Sequence, residues 1–164
     1  PSKGAENPTV TIIEFGDFQC AACATLDDSL EVLVKTYPDD VRVVWKDMPN
    51  ESAHELATPA AIAAHCADRQ GMFWEYHDFL FDRQSVLNEA QFTQIATDLG
   101  LNVGKFQTCY DERDTLGIVK KDYNEGLALG ITSTPTLYIG DQVLVGAVST
   151  QDLVELVATM IDTP

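Results

Sequence analysis

The sequence has no apolar run approaching the roughly 18–20 residues that a membrane span requires. Its longest hydrophobic stretches are short and interrupted, so no transmembrane helix is expected. Cations are scarce: ten Lys and Arg stand against 26 Asp and Glu, a formal charge of −16. Phosphate contacts need a cationic footprint, so no nucleic-acid partner is expected. The charge favours solubility, and it also attracts basic or partly unfolded cationic partners. No signal peptide is visible at the polar opening Pro1-Ser2-Lys3-Gly4-Ala5-Glu6-Asn7-Pro8, and there is no internal repeat or low-complexity tract. Cysteines number four. An even count fits two pairs in an oxidising compartment, and four thiolates also fill a zinc site.

With 164 residues, 45% of them hydrophobic, the chain can build one packed domain, or one domain with a sizeable insertion. It is organised around Val10-Thr11-Ile12-Ile13-Glu14-Phe15-Gly16-Asp17-Phe18-Gln19-Cys20-Ala21-Ala22-Cys23. The β-branched residues at its start read as a buried strand, Gly16-Asp17 as a turn, and Ala21 to about Tyr37 as a helix. Cys20 then sits at the helix N-terminus, where orphan N–H groups and the positive end of the dipole stabilise a thiolate. Cys23 lies one turn further in, close enough for the two to cycle between dithiol and disulfide.

Tyr37-Pro38-Asp39-Asp40 stops that helix, and Val41 to Lys46 reads as a second strand, which makes β-α-β with parallel neighbours and a right-handed crossover. Helical spacing then dominates. Helices are expected from Ala53 to Gln70, from Met72 to Phe81, and from an N-cap at Asn88 to Gly100. The stretch from Val103 to Leu129 contains Gly117 and Gly126 and reads as two helices or one bent one. Thr136–Ile139 and Gln142–Val145 form a hairpin across Gly140-Asp141, and a last helix from Asp152 to Met160 opens on Ser149 or Thr150.

That order, together with Phe18-Gln19-Cys20-Ala21-Ala22-Cys23 and Ser133-Thr134-Pro135-Thr136, resembles the DsbA-like thiol-disulfide oxidoreductases. The resemblance covers nearly the whole chain. Cys66-Ala67, Gln70-Gly71-Met72-Phe73-Trp74, His77-Asp78, Leu80-Phe81 and Phe106 ahead of Cys109 fit the subgroup with a second cysteine pair. It implies an α/β, thioredoxin-like fold from residues 1–50 and 130–164, with an all-helical subdomain inserted at 51–129.

The resemblance also implies roles. Cys20 would be the exposed nucleophile and Cys23 the buried resolving thiol, Pro135 the cis-proline opposite them, and Thr134 the residue bordering the reacting sulfur. Glu14 stands where the family keeps a buried acid: it either faces solvent or takes the proton of Cys23, with Lys46 as a candidate ion-pair partner or an ordinary surface lysine. Cys66 and Cys109 would form a structural disulfide across the insert. The competing arrangement gathers the four cysteines, and His65, around zinc, without the short knuckles usual there. Ala21 and Ala22 depart from relatives with His or Pro between the cysteines, which suggests a less strongly oxidising pair. His54, His65 and His77 receive no role. Phe73, Trp74, Phe79 and Phe81 read as core, or in part as the lining of a peptide groove.

The expected activity is disulfide formation in exported client proteins, with reduction or isomerisation as same-fold alternatives and a metal-binding or redox-inert interaction module as the alternative of another class. The cysteines themselves are the redox group, so no cofactor or metal is expected. The partners would be cysteine-containing clients and a protein that re-oxidises or reduces Cys20–Cys23. The chain is expected to work as a monomer in the periplasm or another extracytoplasmic space, any signal or anchor having been removed.

Overall fold

The computed structural model describes residues 1–162. The last two residues of the expected 130–164 segment lie outside the described residues. In chain order the elements are β1 (Ser2–Gly4), β2 (Val10–Gly16), α1 (Ala21–Thr36), β3 (Val41–Asp47), α2 (Ala57–Asp68), α3 (Phe73–Asp82), a 3-10 turn at Gln84–Val86, α4 (Glu89–Asp98), α5 (Val103–Asp111), α6 (Leu116–Ala128), β4 (Thr136–Ile139), β5 (Gln142–Val145) and α7 (Thr150–Asp162). They divide into two units, one of residues 1–16, 20–46 and 131 onward, the other of residues 17–19 and 47–130.

The first unit is a mixed α/β layer. Its five strands run in the order β1-β3-β2-β4-β5. β2 and β4 are antiparallel, with Glu14 opposite Leu137 and Phe15 opposite Thr136, and β4 turns back antiparallel into β5. Strand alternation and helical period converge on one core, in which Ile12, Leu26, Leu30, Trp45, Leu137 and Leu153 are all buried. Gly16 is required by that core: a Cβ there would lie 2.4 Å from Trp45 Cη2. Helix α7 packs on α1, and the Ser29 and Thr150 hydroxyls meet at 2.9 Å. Ser149 caps α7 by accepting the Asp152 N–H, as expected of that position.

Strand β1 was not expected. Its three residues carry no periodic pattern, and they are strand only because they pair antiparallel with β3, Lys3 opposite Val43. Gly4 closes the pairing at φ +99°, where a Cβ would meet Val41 O at 2.2 Å.

The second unit is all helix. Helix α2 begins at Ala57 rather than Ala53, because Pro59 has no N–H to give and belongs in a first turn, where none is needed. Residues 53–56 instead form turns, and the Leu56 N–H donates to Gln19 Oε1. The stretch from Val103 to Leu129 is two helices, yet neither glycine divides them. The break is at 112–115, where Arg113 takes φ 53° and the Asp114 N–H returns to Cys109 O. Asn88 and Asn102 cap α4 and α5. Phe73 is core, whereas Trp74, Phe79 and Phe81 are half-buried, Phe79 lying under the Arg83 guanidinium at 4.9 Å.

Candidate active site

The Gly16-Asp17 turn releases the chain from the sheet, and Cys20 is the N-cap of α1, with an extended backbone at φ −76° and ψ 114°. This geometry turns its Sγ toward the open end of the helix, where it accepts the Cys23 N–H at 3.4 Å. The Cys20 thiol also reaches Thr134 O at 3.4 Å. Cys20 and Cys23 are not bonded to one another.

Hydrogen bonding from Cys23 is the largest influence on the Cys20 thiol, partial burial opposes it, and Thr134 and the Cys23 and Ala22 amides add to the lowering; the pKa falls to about 6. Acidity comes from the helix end and the neighbouring cysteine, which is why alanines between the cysteines suffice. The exposure expected of Cys20 needs correction: it keeps only 7% of its surface, while Cys23 keeps none.

The Thr134–Pro135 peptide is cis. Pro135 O accepts the Gly146 N–H at 2.8 Å, and the Thr136 hydroxyl donates to Ser133 O at 2.8 Å, so this loop is tied to both strands of the hairpin.

Glu14 does not face solvent. It is 1% exposed, and its Oε1 accepts no hydrogen bond among the described residues. Burial pushes its carboxyl well above the usual carboxylate range; the charges of Asp27 and Cys20 push the same way, and Lys3 opposes them. Lys46, the expected partner, is not among the charges that act on Glu14. The cation whose charge reaches Glu14 is Lys3, on the strand that sequence periodicity does not reveal.

Sequence reading also missed what holds the three residues ahead of Cys20 within the helical unit. Asp17, buried, accepts the Gln19 N–H through one oxygen, and the Asn50 N–H and His54 Nδ1 through the other, at 2.8–2.9 Å. Gln84 Nε2 donates to Phe18 O at 2.9 Å. The signal in the sequence is a turn aspartate, Asp17, with the polar Gln19 two residues on.

Cys66 and Cys109 form a disulfide that joins α2 to α5, with Cα atoms 5.9 Å apart. Two sulfurs committed to that bond cannot serve as thiolate ligands, so the four-cysteine zinc arrangement is overturned. His65 instead meets Asp47 through Nε2 at 2.6 Å, both buried. With Asp122 these residues place three ligand-type atoms within 4.8 Å of one another, with His65 Nε2 engaged by Asp47 and its Nδ1 making no hydrogen bond among the described residues.

Comparison with known proteins agrees with this fold. The family described as Thioredoxin matches residues 1–159. The thiol-disulfide exchange protein alpha-DsbA2 from Wolbachia pipientis superposes with a TM-score of 0.87 at 21% identity, covering 98% of this chain and 86% of that one. A periplasmic thioredoxin-like protein from Salmonella enterica serovar Typhimurium superposes at 0.81 with 26% identity, covering 99% and 90%. A segment of the Na+/H+ antiporter NhaA of Herminiimonas arsenicoxydans is 34% identical over 145 residues, 88% of this chain. This chain spans only 23% of that antiporter's length. The fold expected from sequence, thioredoxin-like and of the DsbA kind with a helical insert, is the one present, and the chain belongs to the thioredoxin family.

Proposed function

We propose that this chain is a thiol-disulfide oxidoreductase that donates a Cys20–Cys23 disulfide to exported client proteins. The observation that carries the reading is Cys20 at the N-cap of α1 with its pKa lowered to about 6. A client thiolate attacks Cys20 Sγ, the Cys20–Cys23 bond breaks, and Cys23 leaves with the electron pair and takes a proton from Glu14. A second client thiol then resolves the mixed disulfide and releases Cys20 as a stabilised thiolate. The sulfur pair is the whole redox group, so the proposal includes no cofactor or metal. Thr134 and Pro135 present backbone to an extended client segment beside Cys20, in the manner of strand addition. An extracytoplasmic location and a partner that re-oxidises the pair belong to the same proposal.

The thiol's acidity supports an intermediate oxidant: about 6 lies between the ~7 of thioredoxin and the ~3.5 of DsbA. Equilibration in glutathione buffers, read by mass spectrometry so that the two cysteine pairs are resolved, tests the direction. The expected potential lies above about −200 mV; a value near thioredoxin's ~−270 mV would make the protein a reductase or isomerase and withdraw the donor role.

The antiporter relatives favour a second reading, in which a redox unit of this kind works beside a membrane transporter. No helix among the described residues is long and apolar enough to cross a membrane, so that reading places the transporter in another segment or another chain. Co-purification from detergent-solubilised membranes distinguishes it from a protein recovered entirely without them.

A further inference from the structure

A thiol that leaves inside a fully buried site needs a proton, and neither Cys23 nor Glu14 can collect one from water directly, being 0% and 1% exposed. Along α1, Cys23, Asp27, Glu31 and Lys35 recur every fourth residue, so they lie in line down one side of the helix, about 5–6 Å between successive Cβ atoms. The line passes from buried to exposed. Asp27 has 15% of its side chain in solvent, Glu31 41% and Lys35 72%. From β1, Lys3 Nζ reaches across it, 3.5 Å from Asp27 Oδ1 and 3.3 Å from Glu31 Oε2, and Lys35 closes on Glu31 at 2.9 Å.

Resting on the oxidoreductase reading above, we propose that Asp27, held in place by Lys3, relays protons between solvent and the buried Glu14–Cys23 pair. When Cys23 leaves as a thiolate, Glu14 gives it a proton and becomes a carboxylate; the Asp27 carboxylate then takes a proton from water, hands it to Glu14 and returns to its ionised form beside Lys3, so one proton enters for each thiolate neutralised. The charged groups that act on Glu14 are Asp27 and Cys20, which favour its neutral form, and Lys3, which favours its ionised form. Lys3 is thus the positioning residue, because it fixes the Asp27 carboxylate against α1 and balances the second negative charge that appears when Glu14 ionises. Burial raises the Glu14 carboxyl, so its ionised form is the costly one and it readily takes back a proton from a neighbouring group that reaches solvent.

The test is the rate at which the oxidised protein forms a mixed disulfide with a reduced cysteine-containing peptide, measured against pH by acid quench and mass spectrometry. Glu14→Gln is expected to slow it about 100-fold, the low end for a general acid–base group, and Asp27→Asn about tenfold, since water partly substitutes for a relay. Three signs separate a relay from lost packing. The Asp27→Asn rate recovers on adding small carboxylic acid or imidazole buffers, its solvent isotope effect rises above wild type, and adding Asp27→Asn to Glu14→Gln slows the reaction no further. Lys3→Met shows a smaller effect in the same direction, Lys3→Arg restores the wild-type rate, and Lys3→Met carries the test should Asp27→Asn fail to fold. An Asp27→Asn rate equal to wild type, or a slow rate indifferent to buffer, overturns the relay while leaving Glu14 its role. If wild type exchanges no disulfide with the peptide, the oxidoreductase reading falls and the relay falls with it.

Discussion

Cys20 Sγ lies 3.4 Å from the carbonyl oxygen of Thr134, across 114 positions of sequence. The Cys20 thiol and the loop that would receive a client are therefore brought together by the pairing of β2 with β4. Anything that shifts β4 in its register moves the client's backbone partner away from the sulfur.

The Cys20 thiolate should titrate near pH 6, so that roughly nine-tenths of it is ionised at pH 7 in the reduced protein. Cys23→Ala should raise this pKa, because hydrogen bonding from Cys23 is the largest cause of its lowering. The sign for stability follows: the folded pKa lies below the ordinary thiol value of 9.0, so the reduced protein gains stability as pH rises from about 6 toward 9. Ultraviolet thiolate absorbance and denaturant midpoints across that range check both statements. A Cys20 that titrates at an ordinary value in wild type would remove the argument for donation.

Glu14 contributes with the opposite slope. Its folded-state pKa is raised, so the folded protein holds a proton that the unfolded chain loses above the ordinary glutamate value of 4.5, and stability falls as pH rises from there through the raised value. Glu14→Gln should flatten this part of the stability profile and make the protein more stable near neutrality, while slowing disulfide transfer. Denaturant melts of the two proteins from acid to mildly basic pH measure the difference, and parallel profiles would place Glu14 in water rather than in the core.

The Cys66–Cys109 bridge closes a separation of 43 residues, for which chain entropy gives about 4 kcal/mol. Replacing both cysteines by alanine should lower stability by up to that amount and leave the Cys20–Cys23 potential unchanged. Denaturant titration together with the glutathione equilibrium separates the two effects. A shift of the redox potential in the double variant would mean that the bridge belongs to the reacting machinery.

Features encoded locally were legible in the sequence. Cysteines behind a β-branched strand and ahead of an Ala- and Leu-bearing helix announce themselves within fourteen residues, and turn residues mark the hairpin. What escaped depends on partners far away. Lys3 looks like any residue of a polar leader until β1 pairs with β3, and the sequence offers Glu14 instead the cation that ends the adjacent, evident strand, Lys46. Asp17 looked like turn punctuation because its donors, Asn50 and His54, lie more than thirty residues on. Pro59, by contrast, was legible and was missed: a proline seven residues into an expected helix already required a later start.

Cys66 is the third residue from the end of α2, and Cys109 the third from the end of α5. Both cysteines thus stand in the last turns of their helices, near the negative poles, the reverse of Cys20. Opening this bond would place nascent thiolates against unfavourable dipoles, making each a poor leaving group and the dithiol a reluctant product. On the oxidoreductase reading, helix direction thus distinguishes a sulfur pair that trades electrons from one that keeps them, so a single chain can sit in a thiol-exchanging milieu without its fastener entering the traffic.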